Sequence, residues 1–161
     1  MTLRVIATGG TFDKHYEPIA GILGFGTGHL RSAIARARIT VPVALQELPF
    51  LDSLDMGDAD RARILDACTA ATEPALVVIH GTDTMPESAA VLGAAALSRT
   101  IVLTGAMIPY EIANSDALFN FGFACGIAQA LPHGVYIAMN GRFFDWRNVR
   151  KNRSAGIFET L

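Results

Sequence analysis

Three short segments hold the residue types that could do chemistry: Ala7-Thr8-Gly9-Gly10-Thr11-Phe12, His80-Gly81-Thr82-Asp83-Thr84-Met85 and Thr104-Gly105-Ala106-Met107. Each joins threonine to glycine, and the second adds an aspartate. A threonine hydroxyl becomes a nucleophile when a neighbouring group takes its proton. Glycine turns leave backbone N–H groups free to approach a developing negative charge. Together these segments outline a hydroxyl-nucleophile site.

Secondary structure must bring the three together. Each follows an apolar, β-branched run, at residues 3–7, 76–79 and 101–103, that reads as a buried strand. In open parallel sheets, sites form outside the carboxyl ends of the strands, so the three segments should converge. Thr27 looks like the N-cap of a helix with Leu30, Ala33, Ile34 and Ala37 on one face. A strand over 40–46 contains Pro42, which suits an edge or a strand start. Asp58 and Asp60 open a helix through Ala71, with Ala62, Leu65 and Thr69 on one stripe. A strand over 75–80 feeds a helix beginning near Pro86, with Glu87 at its positive end. A strand at 100–104, a helix at 115–131 and a strand at 135–139 follow. Residues 141–161 read as extended hairpin and tail. The alternation predicts an α/β fold: one domain, a three-layer α/β/α sandwich around a mainly parallel sheet, flavodoxin- or Rossmann-like.

Composition narrows the functional classes. A net charge of −2 and a pI near 6.0 give no electrostatic case for nucleic acid or an anionic membrane. With 51% hydrophobic residues the chain should fold rather than stay disordered. No apolar run is long enough to span a bilayer, and Met1-Thr2-Leu3-Arg4 leads straight into a strand without a signal peptide. A cytoplasmic location is expected. Cys68 and Cys125 lie within apolar helical patterns and read as core thiols in a reducing compartment.

Simpler roles compete at several positions. Gly9-Gly10 could cradle a phosphate, but no G-x-G-x-x-G or Walker pattern follows the first strand, and Gly24-Phe25-Gly26-Thr27-Gly28 only half matches one. Thr8, Thr82 and Thr104 could each be a turn-stabilising cap. His80, beside a buried strand, reads as a hydrogen-bonded core histidine. His15, His29 and His133 look scattered, with no carboxylate at ligand spacing, so neither a metal nor a cofactor is expected. Only two of the thirteen basic residues are lysines, Lys14 and Lys151. Lys151 could belong to a solvated basic tail. It could instead be kept because an amine, unlike guanidinium, can lose its proton.

Taken in order, the motifs resemble the bacterial-type L-asparaginase/glutaminase family. The likeness rests on Thr8-Gly9-Gly10-Thr11 and on His80-Gly81-Thr82-Asp83-Thr84-Met85. It continues through Gly105-Ala106-Met107, Ser115-Asp116, Asn120, Met139-Asn140 and Asp145-x-Arg147-x-Val149-x-Lys151. It covers essentially the whole chain, 1–161, but only the family's N-terminal catalytic domain. The family's C-terminal domain is therefore expected to be absent. The resemblance implies an amidohydrolase converting L-asparagine to L-aspartate and ammonia, with weaker action on glutamine. Thr11 matches the covalent nucleophile. Thr82 and Lys151 match groups that handle protons, and Asp83 matches the residue holding the substrate's α-amino group. Tyr16 takes the place of the lid tyrosine that hydrogen-bonds the nucleophile, at only five residues' distance. Ser53 matches the contact to the α-carboxylate, while Gly10, Gly81 and Ala106 would supply backbone contacts.

Two departures stand out. Leu54 follows Ser53 where the family usually has glutamine, and the carboxylate normally supplied by the second domain has no counterpart in this sequence. Self-association into a homodimer or higher homo-oligomer is expected to cover the surface that domain would occupy. An amidohydrolase or transamidase component for another amide is the rival reading. A non-catalytic amino-acid-sensing domain is a further one.

Overall fold

The computed structural model describes residues 1–161. In chain order the elements are β1 (Leu3–Gly9), β2 (Lys14–Glu17), β3 (Ile22–Phe25), α1 (Leu30–Ala37), β4 (Val43–Leu51), α2 (Asp58–Ala70) and β5 (Ala75–Ile79). They continue with α3 (Met85–Ala94), β6 (Thr100–Thr104), α4 (Ala117–Ala130), β7 (Gly134–Met139), β8 (Arg142–Asp145), β9 (Arg150–Asn152) and β10 (Ile157–Glu159). Short 3-10 turns occupy Thr11–Asp13 and Ser53–Asp55.

The main sheet has the order β4-β1-β5-β6-β7-β8. Its first five strands are parallel, and β8 runs antiparallel to β7. Side chains alternate across each strand, so one sheet feeds two cores. Ile6, Leu76, Val78, Ile101 and Leu103 pack with Ile64, Ala67 and Cys68 of α2 and Met85, Ala89 and Leu92 of α3. Leu3, Val5, Val77, Ile79 and Val102 pack on the other side, with Leu30 and Ala33 of α1 and Phe121, Ala124 and Cys125 of α4. This is the three-layer α/β/α sandwich expected from the alternation. Both cysteines are free, buried core thiols, and burial pushes each thiol pKa up to about 12. No helix is long and apolar enough to cross a membrane.

The structure corrects several details. The stripe of α2 that faces the sheet carries Ile64, Ala67 and Cys68, while Ala62 and Thr69 are exposed. The long aliphatic chain of Ile64 gains more from burial than the single methyl of Ala62, two positions away. The N-cap of α1 is His29 rather than Thr27. β4 begins after Pro42, whose carbonyl accepts a hydrogen bond from Leu3 N, and lies at the sheet edge where a proline is tolerated. Residues between β1 and α1 form a β2–β3 hairpin with Lys14 opposite Phe25 and Glu17 opposite Ile22. That hairpin has no buried face and hence no apolar alternation to announce it. The C-terminal segment divides between β8, which extends the main sheet, and the separate β9–β10 hairpin.

Candidate functional site

The strand order decides where a site can form. The chain leaves β1 to build β4 on one side, then passes back to build β5 on the other. The crevice between the ends of β1 and β5 is therefore the point where the connections diverge. Gly9-Gly10-Thr11 and His80-Gly81-Thr82 emerge there. Gly10 sits at φ 72°, ψ −173°, a region reserved for glycine. A Cβ on it would lie 2.4 Å from Gly81 N, and a Cβ on Gly81 would lie 2.6 Å from Ser53 Oγ. Backbone thus presses on backbone, and the missing side chains bring the Thr11, Thr82 and Ser53 segments to one place. Thr11 is half-buried, whereas Thr82 and Ser53 are buried. Ser53 Oγ accepts from Thr84 N at 3.3 Å, and its carbonyl accepts from Thr84 Oγ1 at 2.7 Å.

The last predicted member arrives from the far end of the chain. β9 pairs Lys151 with Phe158 of β10, and buried Phe158 anchors that hairpin in the α2–α3 core. Lys151 Nζ donates to Thr82 Oγ1 and to Asp83 Oδ1, both at 2.7 Å, with its side chain only 8% exposed. It is no solvated tail lysine. Arg153 Nε lies 3.9 Å from the same aspartate oxygen.

A second charged pair lies beside Ser53. Lys14 Nζ donates to Asp52 Oδ2 at 2.5 Å, and Asp52 Oδ1 accepts from Leu54 N at 3.1 Å. The Lys14 hydrogen bond holds the Asp52 carboxyl below the ordinary carboxylate range. This pair was not read from the sequence. The available signal was that Lys14 is the only lysine besides Lys151.

The third strand end contributes buried Ala106 on a loop held from beneath. Asp116 Oδ1 accepts from Met107 N and Ile108 N, both at 3.0 Å, and Asn120 Nδ2 donates to Gly105 O at 3.0 Å. Thr8 and Thr104 serve as caps, donating to Ile79 O at 2.8 Å and Ala138 O at 2.7 Å. His80 is a fully buried core histidine, as read. Because Gly81 O can only accept, His80 Nδ1 carries the proton at 2.7 Å, and Ser88 Oγ donates to Nε2 at 2.8 Å. Burial lowers the His80 pKa to about 4.

The Tyr16 region departs from expectation. Tyr16 lies on β2 with an exposed side chain, and its hydroxyl makes no hydrogen bond to Thr11. Its backbone N–H donates to Glu111 Oε1 at 2.6 Å. His15 and His29 are not scattered, although the sequence reads that way. Their ring centroids are 4.2 Å apart, and Glu111 Oε2 lies 3.0 Å from His15 Nδ1 and 4.0 Å from His29 Nε2. Their carboxylate partner is 96 positions from His15 in the chain, so no local spacing could reveal it. Asp13 Oδ1 accepts from His29 N at 2.8 Å, and burial pushes the Asp13 pKa up to about 6. Burial, then the neighbouring His15, lowers the His29 pKa, while the Tyr16 N–H lowers that of Glu111.

Residues 2–158 match the family model described as Asparaginase, N-terminal. L-asparaginase 2 of Escherichia coli K12 is 26% identical over 96% of this chain and 47% of its own length. L-asparaginase 1 of the same strain is also 26% identical, over 96% of this chain and 48% of its own. The solved structure of the thermostable L-asparaginase from Thermococcus kodakarensis matches with a TM-score of 0.89 at 26% identity, covering 100% of this chain and 51% of that one. The chain spans about half the length of the curated relatives it matches.

Proposed function

Since the chain belongs to the asparaginase N-terminal family, we propose that it is an amidohydrolase that converts L-asparagine to L-aspartate and ammonia. The observation that carries this reading is the Lys151–Thr82–Asp83 cluster at the strand switch point, one residue beyond the Gly10–Gly81 contact that brings Thr11 alongside. Thr11 Oγ attacks the side-chain amide carbon. Backbone N–H groups at the glycine turns receive the developing oxyanion. The C–N bond then breaks, ammonia leaves, and an ester to Thr11 remains. Water attacks that ester and releases aspartate. Thr82 and Lys151 hold and move the protons. Asp83 and Ser53 take the substrate's α-ammonium and α-carboxylate, with Gly10, Gly81 and Ala106 contributing backbone contacts. Tyr16, exposed on β2 near Thr11 in sequence, is assigned the lid position.

Leu54 supports a second reading, in which the amide is a different one. It is 60% exposed beside Ser53 and offers a substrate an apolar surface in place of a polar grip. Exposed aromatic side chains, including Phe119 stacked on Phe123 of α4, favour self-association into a homodimer or higher homo-oligomer.

The test is ammonia release by the purified 161-residue chain from asparagine, glutamine and a panel of other primary amides. Asparagine should be the best substrate and glutamine weaker. An added methylene displaces the reacting carbon, and misplacement of about 1 Å can cost on the order of 100-fold. Turnover of another amide with asparagine inert would favour the second reading. No turnover of any amide would overturn both.

A further inference from the structure

Outside the strand-end cluster, one group of side chains has the donor set and spacing of a metal centre. One ligand atom from each of His15, His29 and Glu111 lies within 4.8 Å of the other two. Bonds of about 2.0–2.1 Å in a tetrahedral zinc site put ligand atoms about 3.3 Å apart. The observed His15–Glu111 and His29–Glu111 separations, 3.0 and 4.0 Å, bracket that value.

Hydrogen bonding within the cluster points the same way. His15 Nε2 lies 2.7 Å from Thr27 O, and a carbonyl can only accept, so Nε2 bears the ring proton. The other ring nitrogen, Nδ1, lies 3.0 Å from a Glu111 carboxylate oxygen, a gap that a proton or a metal cation fills. Metal-ligating histidines are held in this way, with the second ring nitrogen donating to a backbone carbonyl. His29 Nε2 is a buried nitrogen without a hydrogen-bond partner and faces the same carboxylate oxygen. Asp13 Oδ1, accepting from His29 N, fixes the start of α1 from which that ring projects.

We propose that His15, His29 and Glu111 bind one divalent transition-metal ion of the zinc class per chain, and that this ion clasps the β2–β3 hairpin to the body of the domain. Two imidazoles and one carboxylate suit zinc, with solvent in the fourth position. The ligands come from three separate segments: β2, the residue before α1, and the loop between β6 and α4. Glu111 contributes Oε2 to the ion while Oε1 keeps the Tyr16 N–H, so the ion and the hydrogen bond act on the same hairpin. The site is separate from the Thr11–Thr82–Lys151 cluster, and the proposal stands whether or not amides are turned over.

The experiment titrates zinc chloride into chelator-treated, metal-free protein by calorimetry, with circular dichroism to confirm that each variant is folded. Wild type should bind one zinc ion per chain. His29→Ala and the nearly isosteric Glu111→Gln should each weaken binding by at least about 100-fold, the upper end of what loss of an outer-shell partner costs. His133→Ala, elsewhere on the surface, should bind as wild type does. Zinc should also raise the melting temperature and slow amide exchange across residues 14–25 in wild type, but not in Glu111→Gln. Absence of zinc binding by folded wild type would overturn the proposal. So would affinity unchanged in both ligand variants, affinity lost with His133→Ala, or amide exchange unaffected by bound zinc.

Discussion

Lys151 Nζ donates to Thr82 Oγ1 at 2.7 Å across 69 positions of sequence. The same nitrogen reaches Asp83 Oδ1 at 2.7 Å. In the proposed function this lysine is the proton carrier, and the Thr82 hydroxyl is its outlet toward substrate.

Lys151→Arg should therefore lose most amidase activity although the positive charge is kept. Guanidinium is planar and does not release its proton near neutrality, so it cannot accept one through Thr82. Steady-state ammonia assays on the two proteins check this. Equal rates would return Lys151 to a purely structural role.

Thr11→Ala and Thr82→Val should each lower kcat by at least about 100-fold, the scale on which a nucleophile or proton-transfer partner matters. Neither change empties a large core volume, so melting temperatures should stay close to wild type. Steady-state ammonia assays beside thermal melts would separate lost chemistry from lost folding.

Gly10→Ala should destabilise the fold as well as the site. The substitution places a Cβ at φ 72°, 2.4 Å from Gly81 N. Strain at such a backbone position and overpacking together cost roughly 2–5 kcal/mol. Urea unfolding should show the loss as a lower midpoint. An unchanged midpoint would mean that the β1 and β5 turns can separate freely.

The His80 contribution to stability should fall on mild acidification, against an opposing gain from Asp13, whose folded pKa of about 6 lies above the ordinary 3.8. For His80 the folded pKa of about 4 lies below the ordinary 6.5. Above 6.5 both folded and unfolded forms are neutral and nothing is lost. Between 6.5 and 4 only the unfolded chain takes up the proton, so this contribution decreases as pH falls, by on the order of 3 kcal/mol in total. His80→Gln should be less stable than wild type at pH 7, because the buried bonds to Gly81 and Ser88 are disturbed. That deficit should nevertheless shrink as pH falls across the window, and urea denaturation of both proteins at several pH values measures the difference.

Much of the fold could be read from local pattern, because a central strand buried on both faces must be continuously apolar. β1, β5, β6 and β7 announce themselves in this way, and the glycines and hydroxyls at their ends mark where the chain turns out of the sheet. The same pattern located Thr11, Thr82 and Ala106, while the family resemblance supplied Asp83, Ser53 and the role of Lys151. Small residues on both faces of α2 gave the periodicity too little contrast to identify the buried stripe. The β2–β3 hairpin, with neither face buried, carried no signal at all.

Tertiary structure alone decided which distant groups meet. Residue types and spacing determined that strand ends would carry threonine hydroxyls, since those depend on a few consecutive positions. Only the β4-β1-β5 order placed Gly10 against Gly81, and only the β9–β10 hairpin, anchored by Phe158, returned Lys151 to Thr82. The meeting of His15, His29 and Glu111 was hidden for the same reason. Local sequence encodes the direction of the chain over a few residues, whereas a side chain's partners are set by packing that closes loops of dozens of residues.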